Sequence, residues 1–114
     1  MLPRENRLVT KEDFNLVKEK GIFLRTPFFL IIYFFRKDNK PSRFGFIVST
    51  KVSKRAVDRN RIKRLLRDSI RILISEFKPG YDILFIAYKN CLSCSKDTLF
   101  LEVKENLKTK GLLK

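Results

Sequence analysis

The chain has 114 residues, and its 26 lysines and arginines outnumber 12 aspartates and glutamates, which gives a formal net charge of +14. A chain of this length has room for one hydrophobic core, so we expect a single domain over residues 1–114. The strong positive charge indicates a polyanionic partner. Histidine is absent and the acidic residues are scattered, so we expect no catalytic residue and no metal site in the protein itself.

Nothing in the sequence indicates a membrane segment or a secretion signal. The first residues lack the apolar segment of a signal peptide. The longest apolar run, residues 28–35, is far shorter than the ~20 residues that a membrane-spanning helix needs. We therefore expect a soluble, cytoplasmic protein with no membrane partner.

A first short helix is predicted between Thr10 and Gly21. Thr10 is suited to the N-cap because acidic residues follow it in the first turn, where they complement the helix dipole. Phe14 and Val17 mark the side of the helix that we expect to be buried. Gly21 is a typical helix end.

Two strands are predicted after this helix. Pro27 excludes a helix immediately before residues 28–35, and this unbroken aromatic and β-branched run is typical of a strand that is buried on both faces. Residues 37–42 have the composition of a turn. Residues 44–49 form the next predicted strand, which we expect to pair with residues 28–35 as a hairpin.

A long basic helix is predicted from Lys54 to Phe77, with Ser53 as its N-cap. Residues 51–71 hold nine basic and two acidic residues, which together carry +7 of the total charge. One side of the helix has apolar residues at helical spacing and is expected to face the core. These apolar residues are Ile62, Leu65, Leu66, Ile70, Leu73, Ile74 and Phe77.

The opposite side of this helix is suited to a polyphosphate backbone. Asn60, Arg64, Arg67 and Arg71 lie roughly opposite the apolar residues. Cations at a helix N-terminus oppose the macrodipole, whereas a bound phosphate is favoured by both the dipole and the free N–H groups. An ordinary solvated face mixes glutamate with lysine and arginine. Because this face has few acids, we interpret it as a binding surface rather than a solubilising one.

The last third of the chain predicts a strand, a loop and a helix. The strand covers residues 81–88, the loop covers residues 90–95, and the helix begins at Ser95 or Asp97 and ends near Gly111. The predicted fold class is α+β, a small α/β sandwich in which helices pack on a short mixed sheet. The element order is α-β-β-(β)-α-β-α, where the strand in parentheses is left open.

The order Arg-Asn-Arg-x-Lys-Arg-x-x-Arg at residues 59–67, which follows a Gly-Phe-x-Val strand, is highly specific. Together with residues 6–21 and 81–87, it makes the chain similar to the protein subunit of bacterial ribonuclease P. The resemblance covers essentially all of residues 6–112.

The resemblance implies an α/β sandwich whose crossover through the basic helix is of the unusual left-handed kind. It also implies that the protein binds a large catalytic RNA and the 5′ leader of precursor tRNA, and that the complex removes this leader. The RNA would hold most of the Mg²⁺ and hydrolyse the phosphodiester bond, and the protein alone would be inactive. We expect one monomeric copy of the protein per RNA, and no DNA partner.

The resemblance implies two groups of binding residues. Phe14 and one face of the strand over residues 28–35 would line a cleft for the leader, because aromatic side chains stack on unpaired bases. We assign to that face Leu30, Ile32 and Phe34. A register shift of one would present the odd-numbered residues instead. The catalytic RNA would be contacted by Lys51, Lys54, Arg55, Arg59, Asn60, Arg61, Lys63, Arg64 and Arg67.

Two positions depart from the pattern of this family. Lys18 stands where an aromatic residue is common one turn after Phe14. Tyr88 stands where a basic residue is common.

Cys91-x-x-Cys94 lies between a predicted strand and a predicted helix, an arrangement that faintly resembles a thiol redox motif. The usual flanking Trp, Gly and Pro are missing, and a closed zinc site would need two further ligands. We therefore favour two free thiols.

Two other function classes fit the composition. A structural RNA-binding protein without a link to RNA cleavage would have a similar charge, but the ordered Arg-Asn-Arg motif argues against it. A DNA-binding regulator would place the basic helix in a major groove. That class usually has a partner helix arranged as a helix-turn-helix, which is not predicted here.

Overall fold

The structure is a computed structural model and describes residues 2–114. No helix in this part of the chain is both long and apolar enough to cross a membrane. The α+β class and the order of helices and strands are confirmed. The strand that was left open is β1, and it precedes the two predicted strands instead of following them. The elements are α1 (Lys11–Lys20), β1 (Ile22–Arg25), β2 (Phe29–Phe35), β3 (Arg43–Ile47), α2 (Ala56–Leu73), β4 (Tyr81–Ala87) and α3 (Lys96–Thr109), with short 3-10 helices at Arg4–Asn6, Ile74–Glu76 and Lys89–Ser93.

The strands form a mixed sheet in the order β1-β2-β4-β3. β2 pairs with β1 and with β4, both antiparallel, while β3 pairs with β4 in parallel. The predicted hairpin between residues 28–35 and 44–49 is therefore wrong. β4 lies between these two strands because its residues are apolar on both faces, and such a strand is favoured in the interior of a sheet.

The hairpin partner of β2 is β1. The Thr26 hydroxyl accepts hydrogen bonds from the N–H groups of Phe28 and Phe29, at 3.2 and 3.0 Å. These hydrogen bonds satisfy the free N–H groups of the turn at Pro27, where the chain reverses from β1 to β2. β1 forms one edge of the sheet, and its residues are mostly exposed.

The connection from β3 through α2 to β4 is left-handed, as the resemblance implies. The N–H of Tyr88 donates to the carbonyl of Phe28, so even-numbered residues of β4 direct their backbone groups towards β2 and odd-numbered residues direct theirs towards β3. The odd-numbered Ile83 and Phe85 direct their side chains towards α2. For L-amino acids, these directions place β4 to the left of β3 when both strands point up and α2 faces the viewer. A right-handed crossover, the usual kind, would place β4 to the right.

One face of the sheet is covered by α2 and α3. Phe29, Ile31 and Phe85 lie on this face and are completely buried. On α2, Ile62 and Leu66 are equally buried against it. The apolar side that was predicted for the basic helix therefore lies in the main core. We call this face the covered face.

The other face of the sheet packs against α1 over only part of its area, and we call it the open face. Val17 of α1 is completely buried against the sheet, and Leu30, Ile32 and Leu84 lie in the same cluster. The prediction that residues 28–35 are buried on both faces holds for the first half of β2, but its last residues are half-buried or exposed. The open face is thus divided into a part that α1 covers and a part that reaches solvent.

The start of α2 differs from the prediction. Arg55 occupies the N-cap position without a side-chain cap, and the helix begins at Ala56. Ser53, the predicted N-cap, accepts a hydrogen bond from the N–H of Arg55 at 3.1 Å and donates one to Asp58 Oδ2 at 2.9 Å. Lys54 consequently precedes the helix. The helix ends at Leu73 and continues as a 3-10 turn to Glu76.

The capping predictions for the other two helices are confirmed. The hydroxyl of Thr10 accepts the N–H of Asp13 at 3.1 Å. Ser95 is the N-cap of α3, since its hydroxyl accepts the N–H of Thr98 at 3.1 Å. Part of the predicted loop over residues 90–95 is a 3-10 helix.

A buried carboxylate joins three strands at the end of the sheet where β4 begins. Asp82 is completely buried, accepts a hydrogen bond from Arg36, and accepts two from Arg43, at 2.8 and 2.7 Å. Arg43 also pairs with Asp13 of α1 at 3.0 Å. The hydrogen bond to Asp82 raises the pKa of Arg43. This network fixes the relative positions of β2, β3, β4 and α1.

Candidate nucleic-acid interface

One flank of α2 carries a row of cations. Arg59, Lys63 and Arg67 follow one another at intervals of four residues, so they lie on the same side of the helix. They are half-buried, whereas the neighbouring Asn60 and Arg64 are exposed. We call Arg59, Lys63 and Arg67 the cationic row.

Within residues 2–114, the members of the cationic row form no ion pair with an acidic side chain. Over the described residues, the ion pairs that involve cations of residues 51–71 are Arg55 with Asp58 and Arg71 with Asp68, at 3.9 and 3.6 Å. Neither pair includes a member of the row. A row of unneutralised cations on a rigid helix is suited to successive phosphates of a nucleic-acid backbone.

Two arginines of the predicted RNA-binding group are held by backbone carbonyls. Arg59 Nη1 donates to the carbonyl of Ser53 at 2.9 Å. Arg61 Nη2 donates to the carbonyl of Cys94 at 3.2 Å, so this side chain lies on the other flank of α2, towards the 3-10 turn before α3. The structure therefore brings Arg59 together with Lys63 and Arg67 but separates Arg61 from them. Lys51, Lys54 and Arg55 are exposed in the segment that leads into the helix.

A cavity of about 450 Å³ lies on the open face, where β3 and β4 end. Ile47 and Ile86 line it and are direct cross-strand partners. Lys51, Tyr88 and Lys89 also line the cavity. It therefore combines an apolar floor with an aromatic wall and two cations, a combination that single-stranded nucleic acid binds well.

Phe14 connects this open face to the cationic row. Its ring lies against Gly45 of β3, where an added Cβ would come within 2.8 Å of Phe14 Cε1. Glycine is therefore needed for this close approach. Phe14 also lines a cavity of about 240 Å³ at the edge of β3, together with Phe46 and Arg67. An extended strand could thus pass from the open face, across Phe14, to α2.

Comparison with known proteins identifies the family. The family model described as Ribonuclease P matches residues 2–111. The chain belongs to this family. The ribonuclease P protein component of Alkaliphilus oremlandii is 38% identical over 108 residues, which cover 95% of this chain and 93% of that protein.

Solved structures agree with this assignment to the ribonuclease P protein family. The ribonuclease P protein of Staphylococcus aureus superimposes with a TM-score of 0.86 at 25% identity, covering 96% of this chain and 98% of that one. The Thermotoga maritima protein gives a TM-score of 0.80 at 26% identity, covering 90% and 96%. The small α+β fold is therefore that of the family.

The predicted leader-binding residues lie on the same face as Phe14. Leu30, Ile32 and Phe34 belong to the open-face cluster, whereas the odd-numbered residues of β2 face α2 and α3. Leu30 and Ile32 are only 8% and 1% exposed, so they form the base beneath α1 and offer little surface of their own. Phe34 is half-buried.

The prediction missed the residues that do reach solvent on the open face. Ile47, Ile86 and Tyr88 are half-buried there. Alternation along β3 and β4 is enough to place these residues on one face of their strands. Their position beside the predicted cleft depends on strand pairing, because Ile86 pairs with Leu30 on one side and with Ile47 on the other. The sequence analysis did not find this pairing because it predicted that residues 28–35 pair with residues 44–49.

The two cysteines are free and buried in the covered face. Burial raises the pKa of the Cys91 thiol to about 12, and the neighbouring Cys94 adds to this effect. Burial also raises the pKa of Cys94. A thiol held in its protonated form is a poor nucleophile and a poor metal ligand, so the geometry favours a packing role over a redox role.

The protein offers no fit for a metal ion in the part that the structure describes. Within residues 2–114, no three histidine, cysteine or acidic side chains come together in a group that could hold a metal. The buried Asp82 is already engaged by Arg36 and Arg43. The described part of the chain therefore offers magnesium no group of three side-chain ligands.

Proposed function

We propose that the chain is the protein subunit of a ribonuclease P ribonucleoprotein, which binds the catalytic RNA and the 5′ leader of precursor tRNA and assists removal of that leader. One observation carries the proposal. In a chain of this family, Arg67 of the cationic row shares a cavity with Phe14, and Phe14 packs against the same apolar cluster as Ile47 and Ile86 of the open face. Structured RNA and an unpaired strand could therefore be bound side by side.

The catalytic RNA is proposed to lie along α2 and the segment before it. Arg59, Lys63 and Arg67 would contact successive phosphates, and arginine is well suited to this because its planar group forms two parallel hydrogen bonds. Lys54 and Arg55 would extend the contact beyond the N-terminus of the helix, whereas Lys51, which lines the open-face cavity, is assigned to the leader. Asn60 and Arg64 are exposed beside the row and available to the same partner.

The leader is proposed to lie on the open face. Unpaired bases would stack on Phe14 and pack on the apolar floor at Ile47 and Ile86, while Lys51 and Lys89 neutralise the backbone. Base stacking on aromatic residues contributes ~1–3 kcal/mol per base and tolerates any sequence. This matches a subunit that must accept many different leaders.

Hydrolysis is proposed to take place on the RNA. The chain lacks histidine, and its side chains within residues 2–114 form no group of three metal ligands. We therefore assign Mg²⁺ mainly to the RNA subunit, with the protein inactive alone. A single domain over residues 1–114, one monomeric protein per RNA and a cytoplasmic location belong to the same proposal.

The proposal is tested by cleavage of a 5′-labelled precursor tRNA at low magnesium, using a bacterial ribonuclease P RNA with and without the protein. The expected result is strong stimulation of cleavage at the mature 5′ end. The protein without RNA is expected to leave the substrate intact. Tight RNA binding without stimulation would contradict the proposal and favour a structural RNA-binding protein.

A further inference from the structure

We propose that Tyr88 is a stacking and hydrogen-bonding platform for one unpaired nucleotide, that it favours a purine there, and that Arg25 is its positioning residue. The proposal rests on the proposed binding of the leader to the open face and specifies a base preference within it. Phe14 lies against Gly45, the cross-strand partner of Leu84, and would contact a different nucleotide.

The backbone of Tyr88 is fixed at both of its polar groups. Its N–H donates to the carbonyl of Phe28 at 2.9 Å, and its carbonyl accepts the N–H of Cys91 at 3.0 Å. The first bond ties the residue to the start of β2, and the second ties it to the 3-10 turn that follows β4. The ring is therefore carried by a rigid part of the sheet, as a stacking platform requires.

The side chain of Tyr88 is held from β1, which is separated from β4 by β2. Arg25 Nη1, at the end of β1, donates to the Tyr88 hydroxyl oxygen at 3.4 Å. Arg25 is the cross-strand partner of Leu30, and Leu30 is the partner of Ile86, so these side chains share the open face. Because the hydroxyl oxygen accepts from a cation, its own proton is free to be donated to an acceptor on a base.

The surroundings of Tyr88 fit one nucleotide. The cavity beside the ring measures about 450 Å³, which lies within the range of small-ligand pockets. Its floor is apolar at Ile47 and Ile86, and Lys51 and Lys89 stand at its rim. A base could lie against the ring while its phosphate pairs with a lysine. A purine would cover more of the ring and the floor than a pyrimidine.

The test uses the reconstituted holoenzyme and precursor tRNAs whose leader carries a purine, a pyrimidine or an abasic site at one position at a time. For Tyr88→Leu, we expect a loss of affinity of about tenfold for leaders with a purine at one particular position. An abasic site at that position should weaken binding to the unaltered protein. It should also remove the difference in affinity between the unaltered protein and Tyr88→Leu. Tyr88→Phe keeps the ring and should lose only about two- to threefold.

Two further variants separate positioning from structure. As a single substitution, Arg25→Gln should weaken binding of the leader that carries the purine. Added to Tyr88→Phe, it should cause no further loss of affinity. Phe35→Leu is the matched control, because Phe35 is a 46% exposed aromatic residue at the other end of the sheet. It should leave the nucleotide preference unchanged.

The outcomes distinguish this inference from the proposed function. An unaltered holoenzyme that binds leaderless tRNA and precursor tRNA equally well would contradict binding of the leader to the open face. If the leader contributes to binding but Tyr88→Leu weakens all leaders equally, including the abasic ones, or changes none, then Tyr88 is only a packing residue and the inference is overturned.

Discussion

The two faces of the sheet differ in how completely they are covered. Among residues 2–114, the covered face contributes to a core of 21 buried residues that includes residues of α2 and α3, whereas the cluster between the open face and α1 has five buried residues. The first face provides most of the apolar burial that stabilises the fold. The second leaves half-buried apolar side chains next to cations, an arrangement that is typical of a surface that binds a partner. The comparison teaches that most of the stability comes from the covered face, whereas the proposed binding of the leader is assigned to the open face of the same four strands.

Neighbouring residues of β4 test this division most strongly. Phe85 is completely buried on the covered face, so Phe85→Ala should reduce the free energy of unfolding by about 3–5 kcal/mol. Ile86 lies half-buried on the open face, and Ile86→Ala should cost about 1–2 kcal/mol. Urea unfolding of both variants measures the difference. Equal losses would mean that the open face is as much a part of the core as the covered face.

The carboxylate that joins the strands should matter to both faces. Asp82→Ala leaves Arg36 and Arg43 without their buried partner and should reduce the free energy of unfolding by about 3–5 kcal/mol. Asp38→Ala is the control, because Asp38 also pairs with Arg36 but is partly exposed. Its effect should be much smaller. Comparable losses in the two variants, measured by urea unfolding, would show that burial of Asp82 is not the decisive difference.

The cationic row should control affinity for RNA without affecting the fold. Replacing Arg59, Lys63 and Arg67 together by glutamine should weaken binding of the catalytic RNA and reduce the salt dependence of log K by about three, or about one per lost phosphate contact. The melting temperature should change little. Arg61→Gln is the matched control, because Arg61 lies on the other flank of α2. A salt dependence that stays unchanged in the triple variant would place the RNA elsewhere.

Phe14 should affect only substrates that have a leader. Phe14→Ala should weaken binding of a precursor tRNA with a leader of several nucleotides by about tenfold, since one stacking contact is lost. Affinity for mature tRNA should stay the same. Filter binding with both substrates measures this. A similar loss for mature tRNA would assign Phe14 to the core between α1 and Gly45 rather than to the leader.

The sequence predicts elements well where local chemistry decides them. The N-caps at Thr10 and Ser95 follow from a hydroxyl that meets a free N–H two or three residues later. The same rule failed at Ser53, because Asp58 and the N–H of Arg55 use that hydroxyl in the turn before the helix. β1 was left open because it has only four residues and buries few of them.

Strand pairing could not be predicted by local rules. The sequence identifies residues 28–35 and 44–49 as strands, but their neighbours depend on which strand occupies the centre, and that position is decided by packing of the complete chain. For the candidate site, the basic residues of α2 follow from the helical pattern. Arg61 was nevertheless grouped with the row, and the solvent-reaching part of the open face was missed because it depends on strand order.

The most direct test of the division between the two surfaces is a double comparison in the holoenzyme. Dissociation constants for precursor tRNA and for leaderless tRNA would be measured with the unaltered protein, with the glutamine variant of the cationic row and with Ile86→Ala. The catalytic RNA would be held in excess so that the complex stays assembled. The account predicts that Ile86→Ala weakens binding only of the precursor tRNA, which has a leader. The glutamine variant of the cationic row should need more RNA for assembly, but the assembled complex should still prefer the substrate with a leader. Loss of that preference in the row variant and its retention in Ile86→Ala would contradict the account.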